Sequence, residues 1–555
     1  MKKSLFVLWA VPLVAFAQQP SIPFFDERVS IDGQFDEKVW QQTSEYTGFY
    51  NYLPTDEGLA QNQTSVRLFH NGENLYIGAT YQDSVPRTQL GSLKRDDVSN
   101  TVASSDTFVL ILDTQDQQQN AYYFALNIGA AQTDGIIERV SEADGFTINT
   151  SWNAIWHAKT SVKGNLKHYE IQIPLKALNY NRGKSTFGIQ FYVRDIKNNS
   201  WTIFTNVKRN YRLFDLRFTK RFSVENLPKN STSRFAVTPS NTLNYQNDVA
   251  DNSENTTFKP SLDVQYNVTS SLKLDATINP DFSQIDVDQQ VTNLTRFSIF
   301  FPERRNFFLE NSDLFSNLGV EGVNPFYSRR IGSNSDIQFG LKLSGNVSPK
   351  TRLGVLNVQT EKEDEIKSQN FGALVVEQQL SKNFTATGFL INRQETENLD
   401  FIDEYNRVTG VNLNYRSDNN KWLGLANFGS SFNDGISEDN NFYNAGIWYN
   451  KRGVSWNASL KNMGKNYIAD VGFTPRLYNY DALNDVVVRE GYTQATTGAV
   501  LVKFTETSKI INNYRYLNFS NDTYWDENGL LNQSSTYYNT ALFFKNLSAV
   551  YPLIG

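Results

Sequence analysis

The sequence predicts an all-β chain in two units: an N-terminal β-sandwich, then an antiparallel transmembrane β-barrel whose C-terminal end looks incomplete. Three observations predict it. Runs rich in β-branched and aromatic residues recur between Gly, Asn and Asp turns as far as Asn226. Beyond that point alternating runs come in pairs, joined by tight turns within a pair and by longer, acidic connections between pairs, as short periplasmic turns alternate with longer outer loops in a barrel. Aromatic residues make up 14% of the chain while its mean hydropathy is only −0.48, a balance that arises when one strand face meets lipid and the other a polar lumen.

Composition narrows the function. At 555 residues the chain exceeds a single ordinary core. A net charge of −6, with no Lys/Arg-rich run, argues against nucleic acid as a partner. Met1-Lys-Lys3, the apolar run Leu5 to Val14 and Ala15-Phe-Ala17 form a charged n-region, a short h-region and an A-x-A cleavage site, so residues 1–17 are expected to be removed on export. The chain has no cysteine, which rules out disulfides, thiolate chemistry and lipid attachment at an N-terminal Cys. No later apolar run reaches the ~18 residues of a membrane helix, so a spanning structure must be a closed barrel.

The first unit is assigned to residues 18–226. In Ile31-Asp-Gly-Gln-Phe-Asp-Glu-Lys-Val-Trp40, Asp32-Gly33 makes a turn, and Phe35, Val39 and Trp40 share one face of a short helix. Strands are expected at 65–70, 74–81, 106–113, 122–127, 169–174 and 186–194, with one helical turn at 175–178 and a turn at Asp134-Gly135. The pattern is that of a sandwich. Leu227-Pro-Lys-Asn-Ser-Thr-Ser-Arg234 has no periodicity and places a linker at 227–236. The barrel is assigned to 237–555. Its hairpins pair 336–343 with 353–358, 371–376 with 384–391, 411–415 with 422–428, and 442–449 with 454–460. The chain closes on Val550-Tyr-Pro-Leu-Ile-Gly555, without the terminal aromatic residue that would end a last strand.

One stretch has no period. Asn279-Pro-Asp-Phe-Ser-Gln-Ile-Asp-Val-Asp288 leads through Asn293-Leu-Thr-Arg-Phe297 to Phe300-Phe-Pro-Glu-Arg-Arg-Asn-Phe-Phe-Leu-Glu310, and Phe residues alternate there with charge. A packed, salt-bridged segment is expected at 279–310. Glu303, Arg304, Arg305 and Glu310 either neutralise one another in a tight fold or form bidentate pairs that fix a plug in the lumen.

These motifs, with Tyr327-Ser-Arg-Arg-Ile-Gly332 and Gly472-Phe-Thr-Pro-Arg476, resemble a family of secreted Gram-negative proteins of unknown function, in which a domain like carbohydrate-binding module family 9 precedes an outer-membrane β-barrel. Ile31 to Trp40 resembles that module's opening motif. The resemblance implies an oligosaccharide or polysaccharide partner, contact with outer-membrane lipid and a role in polysaccharide breakdown.

Candidate ligand contacts are Trp152 and Trp156 in Thr150-Ser-Trp-Asn-Ala-Ile-Trp-His157, whose indoles can serve as platforms for sugar C–H faces. A spacing of four equally puts both on one buried stripe. Asp113, Asp116 and Asn120 gather oxygen donors on one loop, which suits calcium, against the alternative of a solvated turn. Three histidines leave little room for a Ser-His-Asp triad or a three-His zinc site. A hydrolase acting on O-glycosyl bonds needs only two carboxylates, and no pair stands out, although Glu138 and Glu170 are possibilities. The competing functions are therefore envelope carbohydrate binding, a glycoside hydrolase or esterase accessory, and a passive outer-membrane channel or assembly factor.

Overall fold

The computed structural model describes residues 19–552 except 142–144, 181–184, 229–234, 249–252, 270, 281, 283–289, 294–295, 321, 364–365, 398–399, 482, 506 and 547. The export leader, most of the linker and most of the Asn279 to Asp288 run lie outside the described residues.

The first unit is two sheets around one core. One sheet orders His157–Lys163, Leu166–Pro174, Asn74–Gln82, Thr64–His70 and Glu45–Tyr46. The other runs Ser21–Ile22, Lys220–Val224, Thr186–Asp195, Thr107–Asp113, Asn120–Asn127, Gln132–Ser141 and Gly145–Asn149, with Ser200–Ile203 and Tyr50–Leu53 on its flank. Phe108, Phe124, Phe191, Ile77, Ile171 and Trp156 fill the space between them, because alternate residues of each strand point to one face. The second sheet also buries Val109, Ile111, Tyr123 and Tyr192 on its other face, beneath Val207 and Leu216. That explains the unbroken apolar run Phe108 to Leu112.

The short helix is Lys38–Gln42. Trp40 is fully buried against Phe35 and Phe69, with ring centroids 5.3 and 5.2 Å away. Gly78 lies beneath them, where a Cβ would come within 2.9 Å of the Phe35 ring. One expectation is corrected. Asp134-Gly135 is not a turn but the middle of the strand Gln132–Ser141, since Asp134 is drawn inward by buried donors and Gly135 lies against the carbonyl of Asn149, 2.6 Å from where a Cβ would stand.

The second unit is a single antiparallel sheet of 15 strands, in sequence order except where the small hairpin Tyr478–Asp481 with Val486–Arg489 interrupts it. Eight of its strands are those expected. Most are longer than their apolar runs suggest, reaching 17 residues in Asp400–Arg416. The first and last strands of the sheet, Phe235–Asp248 and Ala549–Val550, do not pair with each other among the described residues, so the barrel wall carries a seam.

Alternation divides the wall. Val411, Phe428 and Tyr443, register neighbours on three strands, are exposed on the outside, as are Leu413 and Leu460. Aromatic residues gather on the strand ends beside the short turns: Trp422 lies 4.8 Å from Tyr449 and 5.5 Å from Trp456, and Phe384 lies 4.8 Å from Tyr415.

Inside the wall sits the charged aromatic segment. Arg305 donates to Glu303 through Nε at 3.0 Å and Nη2 at 2.7 Å, and to the carbonyls of Ser328 and Ile331 at 2.6 Å each. Glu310 instead pairs outward with Lys273 of the wall. Glu303 and Arg305 thus neutralise one another, while Glu310 ties the segment to the wall. A second anchor escaped the sequence reading: Arg352 of the wall makes a two-pronged pair with Asp313, at 2.7 and 3.0 Å, and reaches Glu377 at 3.4 Å. Asp313 and Arg352 are both buried. Replacing Asp313 with Ala would leave Arg352 buried with only the longer contact to Glu377. We expect a loss of ~3 kcal/mol or more, read as a lower urea midpoint of the detergent-folded protein by tryptophan fluorescence.

Candidate functional site: a chamber between the two units

Strand register assembles the site. Thr387, Asn412, Asn427, Asn444, Lys461, Gln494 and Tyr524 are successive cross-strand partners. All seven face a cavity of about 1260 Å³. A second row adds Asn414, Ser459, Thr496 and Asp522, and a third adds Trp448 and Asn457. Asn is poorly suited to a strand unless its amide has a use. Here Asn444 Nδ2 donates to Asn427 Oδ1 at 3.2 Å, Asn412 Nδ2 donates to the carbonyl of Asn317 at 3.1 Å, and Thr496 Oγ1 donates to Asp522 Oδ1 at 2.6 Å. Asn412 Oδ1 and Gln494 Oε1 are buried acceptors with no hydrogen bond among the described residues.

The opposite side is aromatic. Phe300, Tyr327 and Phe473 cluster with centroids 4.9 to 5.5 Å apart. The guanidinium of Arg476 lies 3.5 Å from the Tyr524 ring centroid and 5.3 Å from that of Phe297. The landmarks 327–332 and 472–476 thus meet in space: Asn324 and Phe473 exchange backbone hydrogen bonds of 3.0 and 2.8 Å, and Tyr327 N donates to the carbonyl of Val471 at 2.6 Å. Gly472 permits this approach, since a Cβ there would fall 2.6 Å from the Asn324 carbonyl oxygen.

The sandwich supplies the remaining wall. Glu138 and the stretch Thr147 to Ser151 border the cavity. Ser312 Oγ of the inner segment donates to Glu138 Oε1, and Asn179 Nδ2 donates to Glu310 Oε1 at 3.4 Å. Five acidic residues (Glu138, Glu303, Asp313, Glu377, Asp522) and four basic ones (Arg304, Lys342, Lys461, Arg476) line the chamber. Charges this evenly mixed do not select an ion of either sign.

The residues singled out from sequence are placed as follows. Trp156 is a core residue: it is 4% exposed, its ring meets Phe124 at 5.3 Å, and its Nε1 donates to Asp134 Oδ1 at 3.1 Å. An indole covered on both faces is no platform, so for Trp156 the buried-stripe reading is the one the geometry fits. Trp152 packs on the same core, against Tyr122 at 4.9 Å, but is only half-buried and follows directly on Thr150 and Ser151 of the chamber wall. Asp113 accepts from the backbone N–H groups of Gln115, Gln117 and Gln118 at 3.2, 2.9 and 2.7 Å, while Asp116 pairs with Arg221 at 2.9 Å and Asn120 opens a strand. Asp113 thus closes its own loop, and Asp116 ties that loop to the strands carrying Thr186 and Arg221. Glu170 Oε2 accepts from Asp32 and Gly33 N–H at 2.9 and 2.8 Å, which fixes the opening turn. Glu138 and Glu170 lie in different sheets and make no pair. Arg304 borders the chamber.

Residues 231–351 match the model of a family described as a domain of unknown function (DUF5916), a span that includes the signature segment and the Tyr327 to Gly332 landmark. No curated protein gives a significant match. Among solved structures, the chain is similar to a family 9 carbohydrate-binding module (CBM9) from Caldicellulosiruptor kristjanssonii in complex with glucose, with 12% identity, 38% of this chain and 98% of that chain covered, and a TM-score of 0.28. It is also similar to OccK7 (OpdD) of Pseudomonas aeruginosa, with 9% identity, 91% and 97% of the two chains covered, and a TM-score of 0.25. For a BenF-like porin from Pseudomonas fluorescens the values are 9%, 89% and 96%, and 0.27. Both kinds of structure named by the sequence resemblance, module and barrel, thus occur among the chain's neighbours.

Two expectations follow. Trp156→Ala should cost ~3 to 5 kcal/mol through the cavity and the hydrogen bond lost from Asp134. Trp152→Ala should cost clearly less, and thermal unfolding of the full chain measures both. The second concerns pH. Burial pushes Asp113, Glu138 and Glu170 up to about 7 and Asp96 up to about 6, above the usual carboxylate value of about 4. A group raised in the folded state stabilises it below its unfolded value and loses that contribution as pH rises through the folded value. Asp56 and Asp83 shift the other way: burial raises each, but the hydrogen bonds and charges of Arg452 at Asp56, and of Arg87 and Lys167 at Asp83, outweigh it. Their contribution is complete at neutral pH. The unfolding temperature should therefore fall as pH rises from about 4, the unfolded carboxylate value, to about 7, where the raised groups have ionised in the folded state too, and Asp113→Asn should flatten the fall.

Proposed function

We propose that this protein is an outer-membrane β-barrel that binds a neutral oligosaccharide in the chamber closed by its N-terminal sandwich. The observation that carries this reading is the inward register row of amides facing an aromatic wall. Hydroxyl-rich, uncharged ligands need many donors and acceptors around them and flat apolar faces for their C–H surfaces. The row of Asn412, Asn427 and Asn444 offers the first, and Phe300, Tyr327 and Phe473 on the opposite side the second. The volume of about 1260 Å³ leaves room for more than one sugar ring.

The membrane assignment is supported by the apolar outer face of the wall, by the aromatic residues beside its short turns, and by the requirement that backbone polar groups in lipid be satisfied within a sheet. A role in polysaccharide breakdown belongs to the same proposal, with the protein retaining fragments rather than cutting them.

Calorimetric titration of the detergent-folded full chain with xylo- and gluco-oligosaccharides tests the reading. Saturable binding is expected, with Asn427→Leu and Asn444→Leu each lowering affinity by about tenfold, the cost of an unmade hydrogen bond in a dry site. Folded variants that bind like the parent, or a parent that binds no sugar, would remove the chamber as the site.

A further inference from the structure

The two units meet on the rim of short turns. Arg452, in the turn between Asn441–Lys451 and Val454–Met463, donates to Asp56 Oδ1 at 3.1 Å and lies 3.0 Å from Glu57 Oε1. Asp56 is nearly fully buried and also accepts from Arg209 N–H at 3.2 Å, so the sandwich holds its carboxylate in place for the turn. Beside it, Asn512 Nδ2 donates to the carbonyl of Pro54 at 2.6 Å, and Asn450 Nδ2 donates to that of Asn210 at 3.1 Å. Both asparagines stand at the ends of strands that enter or leave short turns. The longer connections, 361–367, 434–440 and 464–491, leave the strands at the opposite end of the wall.

We infer that the sandwich is a periplasmic stopper, seated on the short-turn mouth of the barrel, and that solute passes between chamber and periplasm when the Asp56–Arg452 contact opens. Short turns face the periplasm in outer-membrane barrels, which fixes the side on which a domain bound to them must lie. The contacts at the seat are polar, as are those of the sandwich to Ser312 and Glu310 of the inner segment: ion pairs and amide bonds exchange with water at lower cost than an apolar interface. Because Glu138 and Thr147 to Ser151 border the chamber from the sandwich side, unseating would remove one wall of the ligand site as it opens the exit. The inference rests on the membrane reading above but not on the identity of the ligand.

The absence of cysteine makes single-cysteine reporters clean. In intact cells a membrane-impermeant maleimide should label Ser437→Cys, in a long connection, and should label Thr88→Cys, on the sandwich, only after the outer membrane is permeabilised. Labelling of Thr88→Cys in intact cells would overturn the stopper. In planar bilayers in potassium chloride the parent protein should be mostly closed. Arg452→Glu should raise the open fraction about tenfold or more, as expected when an interfacial ion pair becomes a repulsion. Arg452→Lys should stay near the parent, and Asn512→Ala provides a milder opening if the charge reversal does not fold. A parent that is fully open, or Arg452→Glu and Asn512→Ala both conducting like it, would sink the proposal. Neither readout uses sugar, so failure here is separate from failure of the binding reading.

Discussion

The guanidinium of Arg305 is the joint on which the second unit depends. It is held at once by Glu303, by the carbonyls of Ser328 and Ile331, and by the ring of Phe308, whose centroid is 4.3 Å away. Arginine alone offers a planar cation with enough donors to serve a carboxylate, two carbonyls and a ring together. The irregular segment has little regular structure of its own to satisfy its backbone, so this convergence replaces a ladder. From that hub the chain reaches the wall through Asp313 to Arg352 and Glu310 to Lys273. These buried pairs fix position more than they add stability, since taking two charges out of water offsets much of their attraction.

Much of the architecture was legible because a strand writes its two faces into adjacent residues. Val454-Ser-Trp-Asn-Ala-Ser-Leu460 or Leu353-Gly-Val-Leu-Asn-Val358 declares a strand without knowledge of its neighbours. The chamber was not legible for the converse reason. Asn412, Asn427 and Asn444 meet only through register, a property of pairs, and each alone is an ordinary polar residue. The nearest sequence signal was their occurrence mid-strand, where Asn is depleted. The tryptophans show a third case. Trp152 and Trp156 pack on the same core, but the group that fixes the Trp156 indole is Asp134, 22 residues earlier in a strand where Asp-Gly spells a turn.

The signature motifs gain a physical meaning from their meeting place. Phe300, Tyr327 and Phe473 come from segments far apart in the chain, yet their rings form one cluster, and the backbones around the last two are joined by the Asn324–Phe473 and Tyr327–Val471 hydrogen bonds. A side chain at Gly472 would break the approach, and loss of Arg305 would release Ser328 and Ile331. The constraint therefore falls on the inner segment's shape, which the Arg305 guanidinium holds.

Closure of the chamber follows from the same geometry. Its far end is filled by Tyr467, Val471 and Leu477, which pack on Phe442 and Met463 near the long connections, and the inner segment runs from there to the sandwich, where Ser312 donates to Glu138. Its near end is met by the sandwich. The two closures differ in kind: the first is an apolar core, with Tyr467, Phe442 and Met463 essentially without exposure, whereas the second consists of hydrogen bonds and charge pairs at the rim. Opening the first would expose a packed cluster to water at ~25 cal/mol for each Å² uncovered. Opening the second replaces protein partners by water at a small net cost per bond. If solute moves through this molecule, the energetic difference directs it to the sandwich side, where the chamber's amide rows run out toward the turns.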